Sequence, residues 1–203
     1  MEDTGPHGPD DAAAEANRRP APWRRFIARA FDLWIGGTIF WFGLTTVFYA
    51  ISLEMGDAFA AQASTLPFRL LDGVINLMVM APIQAAMIGA WGYSPGKWLC
   101  GITVRNRQGQ SIGWGRAFRR ELGVWTRGYG LGLPVVSLYC LFRSYSRLEE
   151  DGITPWDEAQ DLVVEHGSLE GPRILGPMLC IATVVGGILW TVSARFQPMA
   201  AGY

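Results

Sequence analysis

Three apolar runs of about twenty residues constrain this chain more than any other feature, because each is long enough to cross a hydrocarbon core of about 30 Å as a helix. The first runs from Ala30 to about Ser52, with Asp32 as its only charge. The second runs from about Leu70 to Gly92, with Asp72 near one end, and the third, Ile174 to Ala194, carries no charge at all. One such run fits the buried core helix of a soluble protein. Three in 203 residues do not, and only 17% of the residues are charged, against about a quarter in a soluble domain. The expectation is an all-α membrane protein with three or four transmembrane helices, spanning about 30–52, 70–92 and 174–194.

The segments around these runs divide the chain into a tail, a membrane domain over 23–165 and a C-terminal extension over 166–203. Residues 1–22 are polar, lack apolar periodicity and read as a disordered cytoplasmic tail. No apolar h-region makes them a signal peptide. Between the second and third runs, 94–111 holds a strand-like stretch, Leu99 to Val104, and a polar turn ending at Gly109, which together predict a cytoplasmic β-hairpin.

Residues 113–127 predict a basic amphipathic helix lying in the headgroup zone. Trp114, Ala117, Phe118, Leu122 and Trp125 recur at helical spacing, and Arg116, Arg119, Arg120 and Arg127 fill the rest of the wheel. Trp114, Trp125, Arg116, Arg119 and Arg120 are therefore candidate lipid-headgroup contacts. After the glycines at 128, 130 and 132, a short apolar helix over 131–142 either completes a fourth crossing or forms one arm of a shallow hairpin that returns to its own side. The return is favoured: Arg143 and Arg147 follow the stretch, and the strand-like Leu162-Val163-Val164 needs a partner such as the expected hairpin.

Charge sets the orientation. Arg18, Arg19, Arg24, Arg25 and Arg29 precede the first run, whereas the loop over 53–67 has Glu54 and Asp57 and no Lys or Arg. Lys97, Arg105, Arg107, Arg116, Arg119 and Arg120 follow the second run. The positive-inside rule puts the N-terminus and the expected hairpin in the cytoplasm and the first loop outside. The expected location is the bacterial inner membrane.

No constellation for catalysis, metal or cofactor binding is legible, and no nucleic-acid partner is expected. The Tyr93-Ser94-Pro95-Gly96-Lys97 stretch lacks the first Gly and the Ser or Thr of a phosphate loop. His7 and His166 are the only histidines, and Cys100, Cys140 and Cys180 read as small buried hydrophobes. Asp157 and Glu158 follow Thr154 as acids in the first turn of a helix. What remains is polarity within the membrane. Arg29 and Asp32 lie three apart on one helix face, and the carboxylate at that depth calls for Arg29 as its partner, on an ion path or in a structural ion pair. Asp72, Asn76 and Gln84 are polar positions in the second run, fitting interhelical hydrogen bonds or, as the alternative, an ion or proton path.

The stretch Trp23-Arg24-Arg25-Phe26-Ile27-Ala28-Arg29-Ala30-Phe31-Asp32 resembles the opening signature of the RDD family of bacterial membrane proteins. Ser94-Pro95-Gly96-Lys97-Trp98-Leu99-Cys100-Gly101-Ile102-Thr103-Val104 resembles its central motif, and Asp157, ahead of Leu162 to Val164, its second aspartate. The resemblance covers about Trp23 to Glu165. Trp156 stands where the family usually has His or Gly, and a further span, Ile174 to Ala194, follows the family region. The resemblance implies a multi-span inner-membrane protein, with transport and sodium/proton exchange proposed for some members.

Two functions are expected. In the first, a small, self-associating transporter or cation/proton exchanger uses Asp32 as its protonatable carboxylate, Arg29 as its tuning partner and Asp157 at the cytoplasmic entrance. The alternative is a non-catalytic scaffold, accessory subunit or assembly factor docked on lipid and on a membrane partner. No enzyme activity is expected.

Overall fold

The computed structural model describes residues 21–132, 134–169 and 171–200. The expected disordered tail therefore lies outside the described residues up to residue 20. Helix α1 spans Pro22–Ile51, opened by Pro22 at a position where the missing N–H costs nothing. Helix α2, Leu53–Ala63, follows at once, capped by the Ser52 hydroxyl, which accepts the Met55 N–H at 3.0 Å. The stretch expected as an external loop is thus largely helical. It folds back on α1 through aromatic contact, with Phe48 and Phe59 stacked at 4.5 Å.

Helix α3, Leu66–Trp91, runs unbroken through Pro82 and stops at Gly92, which takes the left-handed conformation at φ 86°. Among the described residues, α1 and α3 are the two helices long and apolar enough to cross a membrane. The third expected span forms helix α8, Leu175–Ala200, whose apolar part, Leu175–Thr191, is shorter.

The expected hairpin over 94–111 does not form. Pro95–Leu99 is a short helix, α4, and the strand begins later, as β1 over Ile102–Asn106. The polar turn exists, with the Asn106 N–H bonded to the Gln110 carbonyl at 3.1 Å, but no second arm pairs with β1. Its partner is β2, Leu162–His166, antiparallel with Val104 opposite Val164 and Ile102 opposite His166. A two-residue-wide apolar stripe, Ile102 and Val104 with Leu162 and Val164, turns to the core. Register decides this: slipping by one residue would bring Thr103 and Val163 inward instead.

Helix α5, Gly113–Gly123, continues as a π-helical turn over Val124–Gly128, and a 3-10 turn over Gly130–Gly132 precedes helix α6, Pro134–Glu150. The apolar stretch expected to end at residue 142 therefore carries on to Glu150. A short helix α7, Pro155–Glu158, leads to β2. Because β2 pairs with β1, the segment from α5 to α7 ends beside the strand that precedes it.

Helix α5 packs along α3, and Gly89 allows the approach, since a Cβ there would sit 2.8 Å from the backbone of Gly113 and Trp114. Cys100 and Cys180 are fully buried where α4 meets α8, in line with their reading as small hydrophobes, and Cys140 is partly exposed. Burial also pushes the Cys100 thiol up to about 12, leaving it inert.

Gly96 has a similar role where α4 meets α1. Its N–H reaches Asp32, and a Cβ would strike the Ala28 backbone carbonyl. Gly96→Ala should therefore cost about 1–3 kcal/mol in thermal or denaturant unfolding. Gly115→Ala, where the added Cβ meets nothing within 4 Å, should cost nothing. Equal stability of the two variants would refute this packing.

Candidate functional site

At the base of the helices lies a cluster of buried charge that ties α1, α3, α5 and α7 together. Its centre is Glu121, fully buried on the face of α5 that also carries Ala117 and Val124. One Glu121 oxygen accepts from Arg29 of α1, and the other accepts from Arg120 at 2.8 Å. Arg29 also donates to the Gln84 side-chain oxygen of α3 at 2.7 Å, and its guanidinium lies 5.8 Å from the Tyr129 ring.

Arg120 links the centre to Asp157, donating through Nε at 2.6 Å. Asp157 is also fully buried and accepts from Arg25 at 3.1 Å and from the Thr154 hydroxyl at 2.7 Å. Thr154 is the residue that precedes α7, as expected of a cap, but its hydroxyl serves Asp157 rather than a backbone N–H. Arg25 donates further to His166 Nε2 at 3.3 Å, and Arg24 donates to the carbonyls of Cys100 and Gly167 at 2.5 and 2.9 Å. The N-terminal turn of α1 is thereby fastened to the sheet.

Arg29 and Asp32 are both buried, but the expected pair between them does not form. Asp32 accepts from the Ser94 hydroxyl at 2.5 Å and from the Gly96 N–H at 2.6 Å, holding the start of α4. One helical turn apart, the two side chains serve different neighbours: Arg29 reaches towards α5 and Asp32 towards α4. Beside them Lys97 donates to the Ser94 hydroxyl at 3.2 Å.

The other expected site residues divide. Gln84 joins the cluster, and Asn76 makes an interhelical hydrogen bond to the Leu33 carbonyl at 3.1 Å. Asp72 stands apart, and its Oδ1 has no hydrogen-bond partner among the described residues. Trp114, Arg116 and Arg119 are exposed, and Trp125 is partly buried. Arg120, expected at the lipid headgroups, is instead buried between two carboxylates. Helix α5 is correspondingly packed on α3 and pinned at its base, with Trp114, Arg116 and Arg119 on its exposed face.

Electrostatics follow from this geometry. Burial alone would push Glu121 up, but Arg29, Lys97 and Arg120 outweigh it and hold the carboxyl down at about 2. Asp157 is likewise held below the ordinary carboxylate range by Arg120 and Arg25, against its burial. Lys97 goes the other way: burial lowers its ammonium to about 8, although Glu121 and Asp32 favour the charge. Among the described residues, no three His, Cys, Asp or Glu gather in a group that could hold a metal ion.

Comparison with known protein families matches residues 19–195 to the RDD family. The chain belongs to the RDD family. The match reaches beyond Glu165 and takes in the last apolar helix. Comparison with curated proteins and with solved structures finds no match. In this RDD chain the opening signature supplies Arg24, Arg25, Arg29 and Asp32, the central motif supplies Ser94, Gly96 and Lys97, and the second aspartate is Asp157. All but Arg24, which binds the Cys100 and Gly167 carbonyls beside the sheet, gather around the buried cluster. Glu121 completes the set.

Glu121→Gln should destabilise the fold by about 3–5 kcal/mol, since Arg29 and Arg120 would be left buried and short of a counter-charge. Because the folded carboxyl sits at about 2 and the unfolded one near 4.5, its stabilising effect is complete above the unfolded value and is lost as pH falls through that window towards 2. Acid unfolding of Glu121→Gln should accordingly show a weaker pH dependence over the same range. An unchanged pH profile would remove Glu121 from the centre of the cluster.

Proposed function

We propose that this chain is a multi-pass protein of the bacterial inner membrane, with its N-terminus in the cytoplasm, acting as a small cation/proton exchanger. Membership of the RDD family, the lengths of α1 and α3 and the arginines ahead of α1 support the placement. The observation that carries the exchange is Lys97: a buried ammonium, facing Asp32 and Glu121, that releases its proton at about 8. Glu121 and Asp157 are held ionised far below neutrality and cannot cycle protons there. When Lys97 loses its proton, Asp32 and Glu121 face the site with one cation fewer, and a monovalent cation takes its place. Asp32 then serves as counter-charge and ligand. Rebinding of the proton expels the ion.

Everted membrane vesicles test this. Exchange of sodium, potassium or lithium for protons should rise as pH increases through about 8, because below that value the proton occupies Lys97. Lys97→Met should abolish exchange and Asp32→Asn should reduce it by about tenfold or more, the cost of one lost charge interaction. Arg116→Ala, on the exposed face of α5, should leave it unchanged. Absence of exchange for all three cations at every pH, with the protein folded and inserted, would overturn the proposal.

A second reading, a scaffold or accessory subunit, draws on a different observation. The carboxylates of the cluster each accept at least two hydrogen bonds, as in a closed structural lattice. Exposed Trp114, Arg116 and Arg119 then form a docking face for lipid headgroups or a membrane partner. Gentle detergent extraction giving only free monomer would count against it.

A further inference from the structure

We propose that a cavity between the first turns of α1 and helix α6 binds an anionic phospholipid, one acyl chain inside and the phosphate on Arg25, Arg29 and Lys97. The inference rests on the membrane placement proposed above but not on ion exchange. The cavity holds about 590 Å³, within the range of about 300–1,000 Å³ typical of small-ligand sites. Its walls are apolar and aromatic, with Phe26, Leu141, Leu148 and Trp156 among them, and its floor carries Arg25, Arg29, Lys97 and Arg120.

Charge complementarity selects the headgroup. Four cations on this floor meet three carboxylates, Asp32, Glu121 and Asp157, so the described cluster holds one positive charge in excess at neutral pH. Arg29 is 7% exposed, and its Nε has no hydrogen-bond partner among the described residues. Among the arginines of this floor Arg25 is the most open to the cavity, its side chain 17% exposed, and a phosphate oxygen there gains a charge-assisted bond.

The walls select the tail. Trp23 and Phe142 line the cavity while remaining 66% and 72% exposed, so the apolar lining continues onto the outer surface next to Leu138. A free anion gains nothing from that surface. An acyl chain removes it from contact with water or headgroups, at roughly 25 cal/mol per Å².

The test is native mass spectrometry of the full chain extracted in detergent and titrated with dioleoyl phosphatidylglycerol or dioleoyl phosphatidylcholine. Phosphatidylglycerol should bind at least about tenfold more tightly, the worth of about one desolvated charge contact. Ser144→Trp fills the cavity from α6 without touching the charge cluster, and should weaken phosphatidylglycerol binding by about tenfold while leaving thermal unfolding in place. Ser144→Ala should bind as the wild type does. Equal affinity for the two lipids, undiminished binding by Ser144→Trp, or displacement of the lipid by millimolar inorganic phosphate alone would overturn the proposal. Release of the chain from membranes by alkaline carbonate would instead sink the membrane placement, so the two failures are distinguishable.

Discussion

The arrangement of this protein depends on keeping one carboxylate, that of Glu121, ionised out of reach of water. A lone buried carboxylate is worth avoiding at almost any cost in structure, and the usual outcome is protonation. Here Arg29 and Arg120 approach from opposite sides and hold the charge. Each of those guanidiniums is then buried too and needs partners of its own, which Gln84 and Asp157 supply. The requirement spreads outward until it reaches Arg25, Thr154 and the sheet. Satisfying one charge has fixed the mutual positions of α1, α3, α5 and α7.

The long elements were legible from hydrophobic run length, and α1 and α3 lie within a few residues of expectation, apart from the eight extra residues at the start of α1. The return of the chain between α5 and β2 was also legible, because a lone strand-like segment such as Leu162–Val164 must find a partner. The hairpin was misread because a strand followed by a polar turn looks the same whether its partner is the next segment or one sixty residues away. Local signals end at Gly109. The distant pairing itself was expected from the lone strand-like Leu162–Val164, and the stripe of Ile102 and Val104 opposite Leu162 and Val164 sets its register.

The site was half legible. Arg29, Asp32 and Gln84 stood out as polar groups at or within apolar runs, and Asp157 through the family resemblance, but their pairing did not follow from spacing. Proximity on one helix face made Arg29 and Asp32 look like each other's partners, whereas tertiary neighbours offered each a better one. Glu121 escaped notice as the one acid in a basic helix. Its signal was present: positions 117, 121, 124 and 128 share a face, so Glu121 points the way Ala117 and Val124 point, into the core. Arg120 was taken for a surface charge because its neighbours Arg116 and Arg119 are.

The central motif now has a physical reading, residue by residue. Ser94 gives Asp32 a hydroxyl, Pro95 opens the helix, and Gly96 lets Ala28 come within backbone contact while offering its N–H. Lys97 makes one hydrogen bond among the described residues, to Ser94, which Asp32 already holds, and its charge helps to keep Glu121 ionised. Burying that ammonium is nonetheless costly, and the lowering of its proton affinity records the cost. The charge balance of the whole cluster therefore turns on Lys97. An anionic headgroup on the same floor would favour the charged ammonium and keep its proton on to higher pH, while an empty cavity would release it earlier. If the cavity takes the proposed lipid, occupancy and proton release would be linked through this one side chain, each shifting the other.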